Sequence, residues 1–254
     1  MIPILYQDES LLIVEKPVGL SAQADAGGGD SLPRRLEAQG LPVLPVHRLD
    51  RDTGGVMVYA RTKEAAAGLS ALVAQHEVFR KEYLALVSGC PQPAAGEMED
   101  LLYHDSRRNK SFPVQRERKG VRRARLSYAV IGTFDGETGP VSLVQVRLYT
   151  GRTHQIRVQF ASRKMPLLGD SRYGGERGCP LALYSWRLSF PHPLSGQTIA
   201  VCHMPDWDAP PWSRLPQVQK EAVLSALAVD GGEKLCYTKA KEFPTGKRQE
   251  EPNP

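Results

Sequence analysis

The chain has 254 residues, of which 41% are hydrophobic and 24% charged, enough apolar content for one large or two small domains and too much for a wholly disordered chain. Its 33 basic and 28 acidic residues give a formal charge of +5, a mild excess whose distribution says more than its size. No apolar run approaches the roughly 18 residues that span a bilayer, the N-terminus lacks a signal-peptide pattern, and four scattered cysteines (Cys90, Cys179, Cys202, Cys236) suggest reduced thiols rather than a zinc site or a disulfide framework. A membrane transporter, a secreted disulfide scaffold and a coiled coil are thereby excluded.

In chain order, Leu11 to Val14 reads as a short strand stopped by Lys16-Pro17-Val18-Gly19. Asp30 or Ser31 can cap a helix through Ala38, with Pro33 in its first turn, Leu32 and Leu36 on one face and Gly40 at its end. Gly55 to Ala60 is an expected strand, and Thr62 caps a helix with Ala65, Leu69, Leu72 and Val73 as its inward stripe. Tyr83, Ala85 and Val87 alternate with Glu82, Leu84 and Leu86 in a further strand. Beyond the breakers Pro91, Pro93 and Gly96, strands are expected over Leu126 to Ile131 and Leu143 to Tyr149, then a helix from Thr153 to Arg163. Leu183 to Phe190 and Thr198 to His203 form an expected hairpin around Pro193-Leu194-Ser195-Gly196, and a helix is expected over Val218 to Leu227. The last stretch, Lys239 to Pro254, is polar and expected to fray.

Charge is concentrated in one place. From Asp105 to Arg125, nine basic residues stand against Asp105 and Glu117, a net +7, so the rest of the chain carries −2. Such a block attracts phosphate by counterion release, or it is a solvated loop.

Two clusters carry chemistry. In His47-Arg48-Leu49-Asp50-Arg51-Asp52-Thr53-Gly54-Gly55, Asp50 lies between two arginines at a tight turn, and guanidinium neighbours favour the charged carboxylate. Such a group can attack a sugar carbon. In Gly151-Arg152-Thr153-His154-Gln155-Ile156-Arg157, a glycine turn opens a helix on which His154 and Arg157 share a face, so the helix start can hold an anion and Arg157 can reach a carboxylate. Either cluster taken alone also reads as a structural ion-pair turn. A calcium loop starting at Asp50 is excluded, because Gly54 and Arg61 stand where acidic ligands belong. A haloacid-dehalogenase-type phosphohydrolase is disfavoured, because His47-Arg48-Leu49 is too polar for the buried strand it requires.

These blocks together resemble the RluA-type pseudouridine synthase family, over about Tyr6 to Pro205. The matching residues are Tyr6-Gln7-Asp8 through Glu15-Lys16-Pro17-Val18-Gly19, then His47-Arg48-Leu49-Asp50 with Thr53-Gly54-Gly55, then Lys81-Glu82-Tyr83-Leu84-Ala85-Leu86-Val87-Ser88-Gly89. Gly151 to Val158 and Pro166-Leu167-Leu168-Gly169-Asp170 complete the set, in the family's order. The resemblance implies an α+β pseudouridine synthase fold: a bent, mixed, largely antiparallel sheet in two halves, with peripheral helices and a central catalytic cleft. It implies a catalytic unit over 1–214, with 215–254 as a C-terminal helix and polar tail.

The activity implied is isomerisation of uridine to pseudouridine in ribosomal or transfer RNA. The resemblance assigns Asp50 as the catalytic carboxylate, Tyr83 as the tyrosine that stacks on the base and is proposed to remove the carbon-5 proton, and Arg157 as the ion-pair partner of Asp50. Arg48 matches an arginine implicated in holding the flipped RNA. Arg152 and His154 join the RNA-binding set, with Arg116, Arg118, Arg122 and Arg123 of the basic segment as the phosphate-gripping candidates. The reaction needs no redox change or group donor, so no cofactor or metal is implied. The partner is RNA and not a membrane, the expected location cytoplasmic and the expected state a monomer. The alternative is an inactive RNA-binding protein of the same fold, which intact Asp50, Tyr83 and Arg157 disfavour.

Three departures stand out. Gly54-Gly55 replaces the family's Ser-Gly, Leu183-Tyr184-Ser185 stands where relatives carry Leu-His-Ala, and Arg123 to Tyr128 only loosely matches its block. The chain also begins almost at the catalytic unit, which leaves RNA capture to that unit.

Overall fold

The structure is a computed structural model that describes residues 1–24, 28–221 and 223. Strands dominate: β1 (Ile4–Gln7), β2 (Leu11–Lys16), β3 (Leu44–Pro45), β4 (Gly54–Ala60), β5 (Arg80–Ser88), β6 (Ala95–Asp105), β7 (Lys110–Val114), β8 (Val121–Gly136), β9 (Gly139–Leu148), β10 (Leu183–Pro191) and β11 (Thr198–Cys202). The helices that accompany them are α1 (Leu32–Glu37), α2 (Lys63–Val73) and α3 (Gln155–Ser162). Among the described residues all eleven strands join one sheet, in the order β1-β2-β4-β10-β5-β9-β8-β6-β7, with β3 on β4 and β11 on β10. Every pairing among these strands is antiparallel except β4 with β10. The α+β class and the mixed, largely antiparallel sheet expected from the sequence are what the chain forms.

The strands sort their side chains by the two-residue period. In β5, Tyr83, Ala85 and Val87 enter one apolar cluster, while Leu84 and Leu86 enter another on the opposite face. In β4, Met57 and Tyr59 share the first cluster. Val56, Val58 and Ala60 enter a third, together with Ala65 and Leu69 of α2, Phe79, and Phe190 of β10. Both faces of the central strands are thus covered, which is why β4 is buried at every position. Thr62 caps α2 by accepting the Ala65 N–H at 3.1 Å.

The strand expected over Leu126 to Ile131 forms within β8, whereas the strands from Ala95 to Val114 are not expected from the sequence. The breaker Pro93 precedes a long meander, β6–β7–β8, rather than a basic loop, and Gly96 lies inside its first strand. Along β8, Ala124, Leu126 and Tyr128 are buried while Arg123 and Arg125 are exposed, so from Arg123 onward the pleat puts the arginines on the solvent side; Arg122, at the strand's start, is exposed as well. Charged residues crowd those outward positions and hide the strand's alternation from a sequence reading. Helix α3 begins at Gln155, two residues later than expected, because His154 adopts a left-handed conformation with φ of 56° and cannot be its first turn. The hairpin β10–β11 forms as expected.

Cys90 and Cys179 are free thiols. The expected helix from Val218 lies largely outside the described residues, as does the polar tail. No helix among the described residues is long and apolar enough to cross a membrane.

Candidate active site

Asp50 sits in the turn that feeds β4. The turn closes with the Thr53 N–H donating to the Asp50 carbonyl at 3.0 Å. Gly55 follows with φ of 113°, and a Cβ there would lie 2.2 Å from the Ser185 carbonyl of β10. Only glycine permits that approach. Gly54 has no such constraint, its nearest neighbour being a Val18 methyl at 3.1 Å from the would-be Cβ.

The first sequence block ties down the same turn. Lys16 is buried, and its ammonium donates to the carbonyls of Pro17, Leu20 and Arg51 at 2.9, 2.7 and 3.0 Å. Arg51 in turn donates through Nε to the Gly19 carbonyl at 2.7 Å. Burial lowers the Lys16 pKa to about 8 against the pull of Asp52 and Asp50. His47, just upstream, accepts the Val58 N–H at Nε2, 3.2 Å away. Burial, with Lys81 nearby, lowers its pKa to about 3, so it is a neutral packing residue.

Opposite Asp50 stands the start of α3. Arg157 Nη1 lies 3.7 Å and His154 Nε2 3.8 Å from Asp50 Oδ2. The main partner of Arg157, however, is Asp170, whose two carboxylate oxygens accept from Nε and Nη2 at 2.7 and 2.8 Å. Both side chains are buried. Arg157 therefore bridges two carboxylates, with Asp170 orienting the fork and Asp50 receiving its free edge. Burial opposes the guanidinium charge, but Asp170 and Asp50 outweigh it and the Arg157 pKa is raised. The expectation that Arg157 pairs with Asp50 is thus half of the arrangement. The other half, Asp170, shows in the sequence only as the end of a matching block.

Tyr173 completes the support. Its hydroxyl lies 2.9 Å from His154 Nδ1 and accepts the Ser111 N–H at 2.8 Å, while its ring lies 5.3 Å from the Arg157 guanidinium. Through Ser111, whose hydroxyl donates to the Thr153 carbonyl at 2.6 Å, β7 is fastened to the same corner. Burial lowers the His154 pKa to about 4, with Arg157 and Arg172 adding to the shift against Asp50. His154 is therefore neutral near pH 7. Gln155 accepts from the Arg152 N–H and the Thr150 hydroxyl and donates to the Arg125 carbonyl, which locks the glycine turn against β8.

These elements enclose an open cavity of about 250 Å³. Six residues singled out from the sequence line it: Arg48, Asp50, Tyr83, Arg152, His154 and Arg157. Tyr83 is buried, and burial followed by the Asp50 charge raises its pKa well above the ordinary phenol value. It is thus a neutral phenol at physiological pH. Leu183 lines the cavity, whereas Tyr184 turns to the other face and donates to Glu15 at 3.1 Å. The departure at Tyr184 therefore leaves the cavity wall intact. Lys81 also lines the cavity; the sequence shows it only as the first residue of the block that carries Tyr83, with no role attached.

The basic segment stands apart from the cavity. Arg123 pairs with Glu99 at 3.3 Å and Glu117 at 3.1 Å, and Arg125 with Glu97 at 3.0 Å. Arg118 rests over the Tyr103 ring at 5.1 Å. Arg116 and Arg122 are exposed. Part of the apparent +7 is therefore neutralised by β6 glutamates that the count over Asp105 to Arg125 leaves out.

Comparison with known proteins decides the family. The model of the RNA pseudouridylate synthase family matches residues 10–162. The chain belongs to that family. Among curated relatives, ribosomal large subunit pseudouridine synthase D of Zymomonas mobilis is 34% identical over 218 residues, covering 77% of this chain and 67% of the relative. The synthase of the same name from Nitrosomonas europaea is 35% identical over 225 residues, covering 82% of this chain and 61% of the relative. These RluA-type relatives bear out the resemblance read from the sequence, and the chain spans about two thirds of their length or somewhat less. The fold is shared with Human RNA Pseudouridylate Synthase Domain Containing 1, at a TM-score of 0.72 and 22% identity over 90% of this chain and 95% of that one. Human RNA Pseudouridylate Synthase Domain Containing 4 follows at 0.63 and 24%, over 87% and 92%.

Proposed function

We propose that this pseudouridine synthase family member isomerises uridine to pseudouridine in structured RNA, ribosomal or transfer, with Asp50 as the reacting carboxylate. The observation that carries the reading is the placement of Asp50. It lies on the wall of an open cavity, held by Arg157 and His154 on one side, and the buried Tyr83 lines the same cavity. A uridine must leave its stack to reach such a carboxylate, which costs a few kcal/mol. Stacking on an aromatic ring returns roughly 1–3 kcal/mol.

The geometry supports the following roles. Asp50 attacks the anomeric carbon, or removes the neighbouring ribose proton, while Arg157 holds its carboxylate in one orientation. Tyr83 acts as a neutral stacking phenol, and its raised pKa disfavours a phenolate base acting alone. Arg48 and Arg152, both exposed at the cavity wall, grip the RNA backbone. Arg116, Arg118 and Arg122 of the β7–β8 region extend that grip without reading sequence. Such an RNA places the enzyme in the cytoplasm. The state proposed is a monomer.

The test is quantification of pseudouridine in ribosomal and transfer RNA incubated with the purified protein. The wild type forms pseudouridine. Asp50→Asn forms none and binds RNA with unchanged affinity and salt dependence. Absence of pseudouridine from the wild type, with RNA binding intact, would favour the inactive-binder alternative.

A further inference from the structure

Lys81 differs from the other buried cations of the protein. The Lys16 ammonium is spent on three carbonyls, and Arg157 is held by Asp170. Lys81 is also buried, at 6% exposure. Yet among the described residues it has no carboxylate within ion-pair distance and its ammonium donates to no protein acceptor; its one recorded contact is with the Phe79 ring, 5.8 Å from the ammonium. Its ammonium therefore opens onto the cavity with its hydrogen-bonding capacity free for a bound ligand.

Position indicates what that is. Lys81 and Tyr83 are two residues apart on β5, hence on one face, and both line the cavity. The ammonium lies 3.5 Å from the point where a Cβ on Gly151 would sit, so the glycine leaves room beside it. The cavity has two electrostatic ends. The Asp50 charge acts on Tyr83, His154 and Arg157, whereas the charge acting on Lys81 is that of Arg152. A uridine whose anomeric carbon meets Asp50 and whose ring lies on Tyr83 directs its carbonyl oxygens toward the Lys81 end.

We propose that the Lys81 ammonium hydrogen-bonds a uracil carbonyl oxygen and takes up the negative charge that uracil acquires when it leaves the ribose. This deepens the function proposed above and rests on it. When the bond between the anomeric carbon and N1 breaks, its electron pair stays with uracil and spreads over N1, O2 and O4. This holds whether Asp50 attacks the sugar or removes a ribose proton. Carbon-5 then bonds to the anomeric carbon, as the Asp50 ester bond breaks and its electron pair returns to the carboxylate or, in the other route, as Asp50 gives its proton back to the ribose; carbon-5 loses its proton to water and N1 takes one from water, so the net change is an isomerisation. Lys81 stays protonated throughout and needs no co-reactant. Its contribution is a preformed donor at the site of developing charge.

Burial, with Arg152 beside it, lowers the Lys81 pKa to about 8. The ammonium is therefore lost as pH rises through about 8, and the chemical step slows on that side. The titratable and charged groups around it are Arg152, His47 and His76, with Asp50, Arg48, His154, Arg157 and Tyr83 along the cavity. Both neighbouring histidines are held below their ordinary pKa and Tyr83 above its own, so none changes charge in this window. Lys16 does, at about 8, and the arginine variant separates the two lysines.

The experiment compares wild type, Lys81→Met and Lys81→Arg in single-turnover pseudouridine formation across pH, in RNA affinity across salt, and in thermal melting. Lys81→Met lowers the single-turnover rate by about 10²–10³-fold, leaves RNA affinity within about threefold, and melts close to wild type because no hydrogen bond or ion pair within the protein is lost. Lys81→Arg recovers much of the rate and moves the alkaline fall upward, since a guanidinium stays charged. Three results would overturn the proposal: a Lys81→Met rate close to wild type, a loss of RNA affinity with a flatter salt slope and an intact chemical step, or an alkaline fall that Lys81→Arg leaves in place. A wild type that makes no pseudouridine overturns the function itself, and is seen before any variant is assayed.

Discussion

Replacing Asp170 with alanine should damage both the stability and the catalysis of the protein. Asp170 is fully buried, Arg157 nearly so, and two charge-assisted hydrogen bonds at 2.7 and 2.8 Å join them. Removing one partner of such a pair leaves an uncompensated guanidinium in the interior, which costs about 3–5 kcal/mol. For a protein of this size that corresponds to a fall in Tm of roughly 6–20 °C. The catalytic effect is separate. With Asp170 gone, the nearest acid to Arg157 is Asp50 at 3.7 Å, so the fork loses its orientation and drags on the reacting group. Single-turnover pseudouridine formation should then fall by about 10²-fold at temperatures where the variant is still folded. Asp170→Asn keeps one acceptor and should fall between alanine and wild type. Urea denaturation and calorimetry measure the stability. A loss below about 1 kcal/mol for the alanine variant would refute the reasoning, because that is the scale of a solvent-exposed pair.

Further outcomes follow from the turn and from the histidines. Gly55→Ala forces a Cβ to within 2.2 Å of the Ser185 carbonyl at a φ of 113° and should cost more than about 3 kcal/mol, whereas Gly54→Ser should melt close to wild type; equal melting of the two variants would contradict the close approach of β10. His154 and His47 are held neutral, with pKa values lowered to about 4 and about 3 from the ordinary 6.5. Between those values and 6.5 the unfolded chain binds protons that the folded chain does not, so stability falls as pH drops from 6.5 toward 4 and the two groups add no slope above neutrality. His154→Gln should remove up to one proton's share of that slope, about 1.4 kcal/mol per pH unit, and identical slopes in variant and wild type would show that His154 titrates normally.

Much of this molecule can be read from its sequence because its central strands obey simple alternation. The β5 face carrying Tyr83, Ala85 and Val87 is legible, as are the Thr62 cap and the β10–β11 hairpin, since each depends on residues close in the chain. The turn carrying Asp50 is legible through its block. What escapes depends on distance. Asp170 is 13 residues from Arg157 and Tyr173 is 62 from Ser111, and no local pattern announces either contact. The glutamates Glu97 and Glu99, which neutralise Arg125 and Arg123, face them across the β6–β8 pairing, so a charge count along the chain overstates the exposed positive surface. The role of Lys81 escapes for the opposite reason: its meaning lies in a partner that the protein does not supply.

The one parallel pairing among the described strands has a consequence for synthesis. The turn that presents Asp50 is seated by β10, where Ser185 donates to the Val56 carbonyl across 129 residues of chain and Gly55 fits beneath the Ser185 backbone. A nascent chain that has exposed only its first hundred residues owns the Asp50 carboxylate but not the strand that seats it. Long-range pairings of this kind form late. The ribosome must therefore release nearly two hundred residues, on the order of 10–40 s at ordinary elongation rates, before the newborn enzyme can act on any RNA around it.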